Sequence, residues 1–310
     1  MADGPPATDG RAAPARAAGP ARERPRTLRA RAGRGRDLWR RLRRSKGALV
    51  GLVILAVLVV VALAAPLLAP FDPIKVSDQA LYSPGVPYYF GSDQYGRDIF
   101  SRILYGARIS LVIGLISVGI ASALGVTVGL IAGYYGGWVD SLLMWVINVM
   151  LALPGILLAL AIVTIRGQPS LGNLMIAVGI AGVPTYARLV RGSVLAAKEN
   201  LYVDAARVVG APTRVILARH LLPNVIAPVI VAATLGTGTA ILAAAALSFL
   251  GLGSQPPAPE WGRMLSEGRG YLRDQWWIST FPGLAIMLTV LAMNLLGDGL
   301  RDALDPRLKV

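Results

Sequence analysis

Residues 200–224 read NLYVDAARVVGAPTRVILARHLLPN, a polar stretch set between long apolar runs. It holds Asp204, Arg207, Arg214, Arg219 and His220, the one histidine of the chain. Leu201, Ala205, Val208 and Val209 recur at spacings near three and four, which places them on one side of a short helix and leaves Asp204 and Arg207 on a wetter side. Gly210 followed by Pro212 ends that helix, because glycine takes the left-handed cap and proline cannot continue the ladder. Pro223 stands where a new helix can begin, since the first helical position needs no backbone donor. By itself the stretch reads as an amphipathic surface helix joining two apolar segments.

The neighbouring composition says what kind of surface that is. Hydrophobic residues make up 55% of the 310 and charged residues 15%, where a soluble domain has about 25% charged. The apolar residues fall in blocks at 47–69, 109–133, 141–165, 171–187, 223–252 and 276–296. A hydrocarbon core of about 30 Å takes about 20 helical residues, so the expectation is an all-α integral membrane protein with six transmembrane helices. The first run follows a cluster of arginines, as a signal peptide would. It is longer than an apolar signal core of about 7–15 residues and is read as an uncleaved first helix. Pro154 predicts a kink inside the third run. Gly125, Gly129 and Gly133 share one face of the second, where small residues permit close helix contact in lipid.

The expected domain plan follows. Residues 1–46 form a disordered basic cytosolic tail, 47–69 the first span and 70–105 an extracytoplasmic loop. Residues 106–300 form a five-helix core with a cytosolic loop at 188–222, and 301–310 a cytosolic C-terminus. Of 31 Lys and Arg, 14 lie in 1–46, so the basic excess is mostly one tail. It serves as a positive-inside anchor, with binding to anionic lipid headgroups as the sharper reading; no nucleic-acid partner is expected. An even number of spans puts both termini on one side. Loop 188–222 then also faces the cytosol, with six basic residues against two acidic ones, while the two long outside loops are near neutral.

Chemistry is restricted by what is missing. There is no cysteine and no Gly-x-x-x-x-Gly-Lys-Ser/Thr phosphate loop, and the six runs contain no Asp, Glu, Lys, Arg or His. A proton- or ion-driven carrier usually has an ionisable group there. Asn148, Asn294 and Ser248 are read as helix–helix hydrogen bonders. Ser92 or Asp93 can cap a helix starting near Gln94, and Arg97 and Asp98 can pair within the loop. His220 is read as an interfacial cap rather than a metal ligand. No catalytic, metal or cofactor site is expected.

Asp204-Ala205-Ala206, then Gly210, then Leu221-Leu222-Pro223 resembles the EAA loop of ATP-binding-cassette importer permeases, with Asp204 where the family often has Glu. The turn Tyr134-Tyr135-Gly136-Gly137 is also similar to that family, while Gly91-Ser92-Asp93 with Gly96-Arg97-Asp98, Leu247-Ser248-Phe249-Leu250-Gly251-Leu252-Gly253 and the ending from Gly297 to Arg307 are similar to its dipeptide, oligopeptide and nickel branch, and to the second, C-type permease there. The resemblance implies a type I importer permease fold, and a coupling helix whose Leu201, Asp204, Ala205, Ala206, Arg207, Gly210 and Ala211 dock into an ATPase. His220, Leu222 and Pro223 close that motif. It also implies as partners a second homologous permease, two ATPase subunits carrying ATP and Mg, and an extracytoplasmic substrate-binding protein. Peptides lead as substrate, with nickel chelates or other small solutes open. A stand-alone carrier or channel, and a membrane scaffold, are the competing classes.

Overall fold

Five of the six apolar runs each lie in one helix and the third is divided between two, and the helix ends do not coincide with the ends of the apolar runs. The computed structural model describes residues 40–304 apart from 41 and 44. The tail expected over 1–46 lies outside the described residues as far as position 39, and so does the end of the chain from 305 onward.

Helix α1 (Lys46–Leu68) starts at Ser45, whose hydroxyl accepts from the Ala48 amide at 3.3 Å. Helix α2 (Ile99–Tyr135) is capped by Asp98, whose carboxylate accepts from the Ser101 amide at 2.8 Å and its hydroxyl at 2.6 Å. The apolar run suggests a start at 109, but the helix begins ten residues earlier, and the cap expected at Ser92 or Asp93 for a helix near Gln94 is supplied by Asp98 instead. Arg102 gives 99–108 a loop-like composition, yet it is 1% exposed because its charge is paired internally.

The third run breaks in two. Helices α3 (Gly137–Ala152) and α4 (Gly155–Ile165) meet at 95°. This is more than the kink expected at Pro154. Leu153 is extended, with φ −97° and ψ 137°, as the residue before a proline prefers. Helix α5 (Leu171–Lys198) continues through Pro184, so 188–198 is helix and not loop. A short helix α6 (Leu201–Val208) follows, then α7 (Thr213–Phe249), α8 (Trp261–Gly268) and α9 (Trp277–Leu304). Pro223 lies in the first turn of the α-helical stretch Leu222–Phe249, as its missing donor leads one to expect, but that stretch continues within α7 from a π turn over Ile216–Leu221, where the Leu222 amide donates to the Leu217 carbonyl. The widened turn takes up the clash and missing donor that a proline brings to the α ladder. Among the described residues there are thus five unbroken helices long and apolar enough to cross a membrane, and six spans if α3 and α4 count as one.

Helices α2 and α5 form the tightest pair. A β-carbon on Gly125 would lie 2.5 Å from Tyr186 Cβ, on Gly129 2.6 Å from the Ala187 carbonyl, and on Gly133 2.8 Å from Val194 Cβ. The glycine face read from the sequence is therefore the contact face. Helix α1 packs on α9 by the same device, since a β-carbon on Gly51 would come within 2.7 Å of the Ala292 carbonyl.

At the end of the bundle bearing the 70–98 loop, the helices are joined by charge. Arg97 binds Asp93 at 2.6 Å and Glu267 at 2.8 Å, and Arg102 reaches the same two acids at 3.7 and 3.3 Å. Arg102 also donates to the carbonyls of Pro73 and Pro257, and Arg263 reaches Glu267 at 3.3 Å. Beside this network Glu260 caps α8, accepting from the amides of Gly262 and Arg263. Burial raises its carboxyl above the usual range, opposed by those two amides. Burial likewise raises Asp98, opposed by Ser101.

Two outcomes follow. Gly129→Leu should abolish the monodisperse, thermally stable form in detergent, whereas Gly119→Leu, with nothing within 4 Å of an added β-carbon, should leave the melting temperature within a few degrees. Glu267→Gln leaves two buried guanidinium groups to share Asp93, and should destabilise the fold by about 3 kcal/mol in detergent unfolding.

Candidate functional site

The stretch that opened the sequence reading is held to the bundle from beneath. Val203 is fully buried and Ala206 packs against the core formed by α2, α5 and α7. Tyr202 accepts a hydrogen bond from the Asn224 side chain at 2.9 Å, and its ring lies 6.5 Å from the His220 imidazole. Asn224 also donates to the His220 carbonyl at 2.6 Å. His220 lies in the π turn, with its ring beside that of Tyr202 on α6.

Helix α6 ends in a tight cap. The Ala211 amide donates to the Ala206 carbonyl at 3.0 Å and the Gly210 amide to Arg207 at 2.9 Å, with Gly210 at φ +79°. This double bond pattern around a left-handed residue explains the glycine. Nothing lies within 4 Å of a β-carbon placed there, so the backbone and not crowding within this chain demands it.

The apolar side of α6 is turned away from its own bundle. Leu201 is 86% exposed, Val208 88% and Val209 87%. Ala205 lies between them and is exposed as well. Asp204 and Arg207 form an i, i+3 ion pair at 3.1 Å with side chains 57% and 44% exposed. A pair that open contributes about 0–1 kcal/mol. The expected residues Leu201, Asp204, Ala205, Ala206, Arg207, Gly210 and Ala211 thus come together on one short element. His220, Leu222 and Pro223 belong to the π-turn junction below it. Val208 and Val209 were not among the expected site residues, although their spacing marked them. Periodicity shows which residues share a face but not which way the face turns.

A second set of contacts was not visible in the sequence. The end of α5 and α6 together send four basic side chains to residues 133–148. Arg188 donates to the Asn148 side chain at 2.7 Å, so Asn148 does bond between helices. Arg191 makes two hydrogen bonds to Asp140, each 2.5 Å. Lys198 donates to the Gly133 carbonyl at 3.3 Å, and the Arg207 guanidinium lies 5.8 Å from the Tyr134 ring centre.

Within the bundle, α2, α4, α5 and α7 surround a cavity of about 480 Å³. Its lining is apolar apart from Ser117, Thr185, Tyr186 and Thr239, and includes no charged side chain. The cavity and α6 use different residues, and the polar contacts of 133–148 lie in sequence between two stretches of the cavity lining, 117–121 and 155–159.

A family model described as the binding-protein-dependent transport system inner membrane component matches residues 125–310, and one for the N-terminal transmembrane domain of oligopeptide transport permease C matches 33–84. The chain is 50% identical over 275 residues to the dipeptide transport system permease protein DppC of Alkalihalophilus pseudofirmus, covering 88% of this chain and 90% of that one. It is 48% identical, with the same coverage, to the glutathione transport system permease protein GsiD of Escherichia coli. Against DppC of Haemophilus influenzae it is 44% identical over 88% of this chain and 95% of that one. Among solved structures, the methionine ABC transporter MetNI in inward-facing conformations aligns with a TM-score of 0.55 at 19% identity, over 67% of this chain and 98% of that chain. An identity that low supports a shared fold and nothing finer. The chain is a multi-pass inner-membrane protein with the fold of ABC importer permeases, and it belongs to the family of binding-protein-dependent transport system inner membrane components.

Proposed function

We propose that this chain is the C-type permease subunit of an ATP-driven importer of di- and oligopeptides, and that α6 is the surface on which an ATPase subunit docks. The observation that carries the docking reading is the outward apolar face of Leu201, Ala205, Val208 and Val209. Exposed apolar residues in that density mark an interaction surface. The relatives named for dipeptide and glutathione transport support the substrate class.

In this reading the end of the bundle bearing α6 faces the cytosol, together with both termini, consistent with the basic excess of 188–222. ATP and Mg belong to two partner ATPase subunits, and this chain binds no cofactor. A second homologous permease completes the pathway, of which the neutral cavity forms part. A substrate-binding protein delivers solute to the opposite end. The absence of charge from the cavity lining fits a path that transmits peptides of varied side chains and leaves selection to the binding protein.

The direct test is Val208→Glu. Residue 208 is exposed and in ordinary helical geometry, so the substitution leaves α6 intact. Gly210→Glu would instead strain the cap and confound the reading. Val208→Glu is expected to lower recovery of ATPase subunits with the purified permease, and peptide uptake, by about tenfold, with the permease still inserted. Wild-type recovery and uptake would refute the docking reading.

A further inference from the structure

We infer that the Arg191–Asp140 pair transmits movement of α6 into the wall of the apolar cavity. The inference rests on the reading of α6 as a docking helix, and it makes Arg191 and Asp140 positioning residues for transport.

Three observations lead there. First, α6 and the end of α5 are fastened to each other. Only Glu199 and Asn200 separate the helices, and the Asn200 side chain donates to the Ala197 carbonyl at 2.9 Å. A displacement of α6 is therefore passed to the Arg191–Lys198 turns, which are packed on Gly129 and Gly133 of α2 and so move with that helix as one body.

Second, α3 has little else to hold it. Ile147 is its one buried residue, while Trp138 is 76% and Trp145 63% exposed. Its attachment to α5 rests on the polar contacts of Asp140 and Asn148 with Arg191 and Arg188, together with a small cluster around Ile147. A two-bond guanidinium–carboxylate contact fixes direction as well as distance, whereas apolar surfaces can slide. Side-chain exposures of 34% for Arg191 and 16% for Asp140 leave the pair partly sheltered from screening.

Third, α3 leads into a joint. The 95° break at Leu153 and Pro154 has no continuous helical ladder across it. Beyond it α4 places Gly155, Ile156 and Ala159 in the cavity wall. Rotation of α3, pulled through Asp140, therefore re-aims α4 and changes the shape of the cavity without any deformation of α2 or α5. Hinge closures of this kind concentrate their dihedral change in a few residues at element ends.

The test uses the complete importer, with its second permease and ATPase subunits, reconstituted in lipid vesicles. Peptide transported per ATP hydrolysed is measured in the presence of the binding protein. Asp140→Asn should keep the wild-type amount of ATPase subunits and continue to hydrolyse ATP, while transport per ATP falls about threefold or more. The exchange D140R/R191D should bring the ratio back toward the wild-type value. If Asp140→Asn fails to assemble, Arg191→Lys supplies the measurement, since lysine keeps the charge but loses the planar two-bond geometry. Wild-type transport per ATP in the assembled single variant, or an exchange that stays at the single-variant ratio, would overturn the inference. Failure of the docking reading shows separately, as undiminished ATPase recovery with Val208→Glu.

Discussion

Helices in hydrocarbon gain little from excluding water, so they must be held by close packing and by polar contacts. In this chain the decisive close contact is that of α2 with α5 along Gly125, Gly129 and Gly133. Because no side chain intervenes, the two backbones meet through Val183, Ala187 and Val194 at distances that a single methyl group would prevent. The pair then acts as a post. Helix α7 leans on it through the same core, and Tyr186, buried on α5, donates to the Ala232 carbonyl of α7 at 3.3 Å. Everything less firmly held, including α3, α4 and α6, is arranged around that post.

This division of labour explains how one subunit can be both rigid and responsive. The α2–α5 contact cannot be altered gradually, since packed backbones offer no intermediate separation. Movement must go to elements with few buried side chains, which is where low local stability is expected. Helices α3 and α6 fit that description: α3 buries Ile147 and α6 buries Val203.

Much of this architecture was legible in the sequence, and the reasons differ from element to element. The number of apolar runs, the glycine face and the interruption at Pro154 follow from length, spacing and a missing amide. The start of α2 was not legible, because an arginine reads as solvent-facing until its partners are known. Glu267, the partner of Arg102, is far away in the chain. The extent of α5 was hidden for the same reason, since Arg191 and Lys198 bond to 133–140 rather than to water alone. At Pro223 the α ladder begins where the proline indicates, but the π turn that joins it to the preceding residues is not foretold by local propensity. At α6 the residues were identified but their direction was not, since periodicity carries no sign.

The charged cluster at the far end has a consequence for how the protein is made. Arg102 and Glu267 are separated by 165 residues. At about 5–20 residues per second, a ribosome needs on the order of ten to thirty seconds to supply the acid after the base has emerged. Throughout that interval the guanidinium group at the head of the second span has Asp93 and the Pro73 carbonyl but not Glu267, and water or lipid phosphate must make up the missing contact. The charged cap at this end of the bundle is therefore finished late in biogenesis, after the acid-bearing segment ahead of the last span has been delivered to the same side of the membrane.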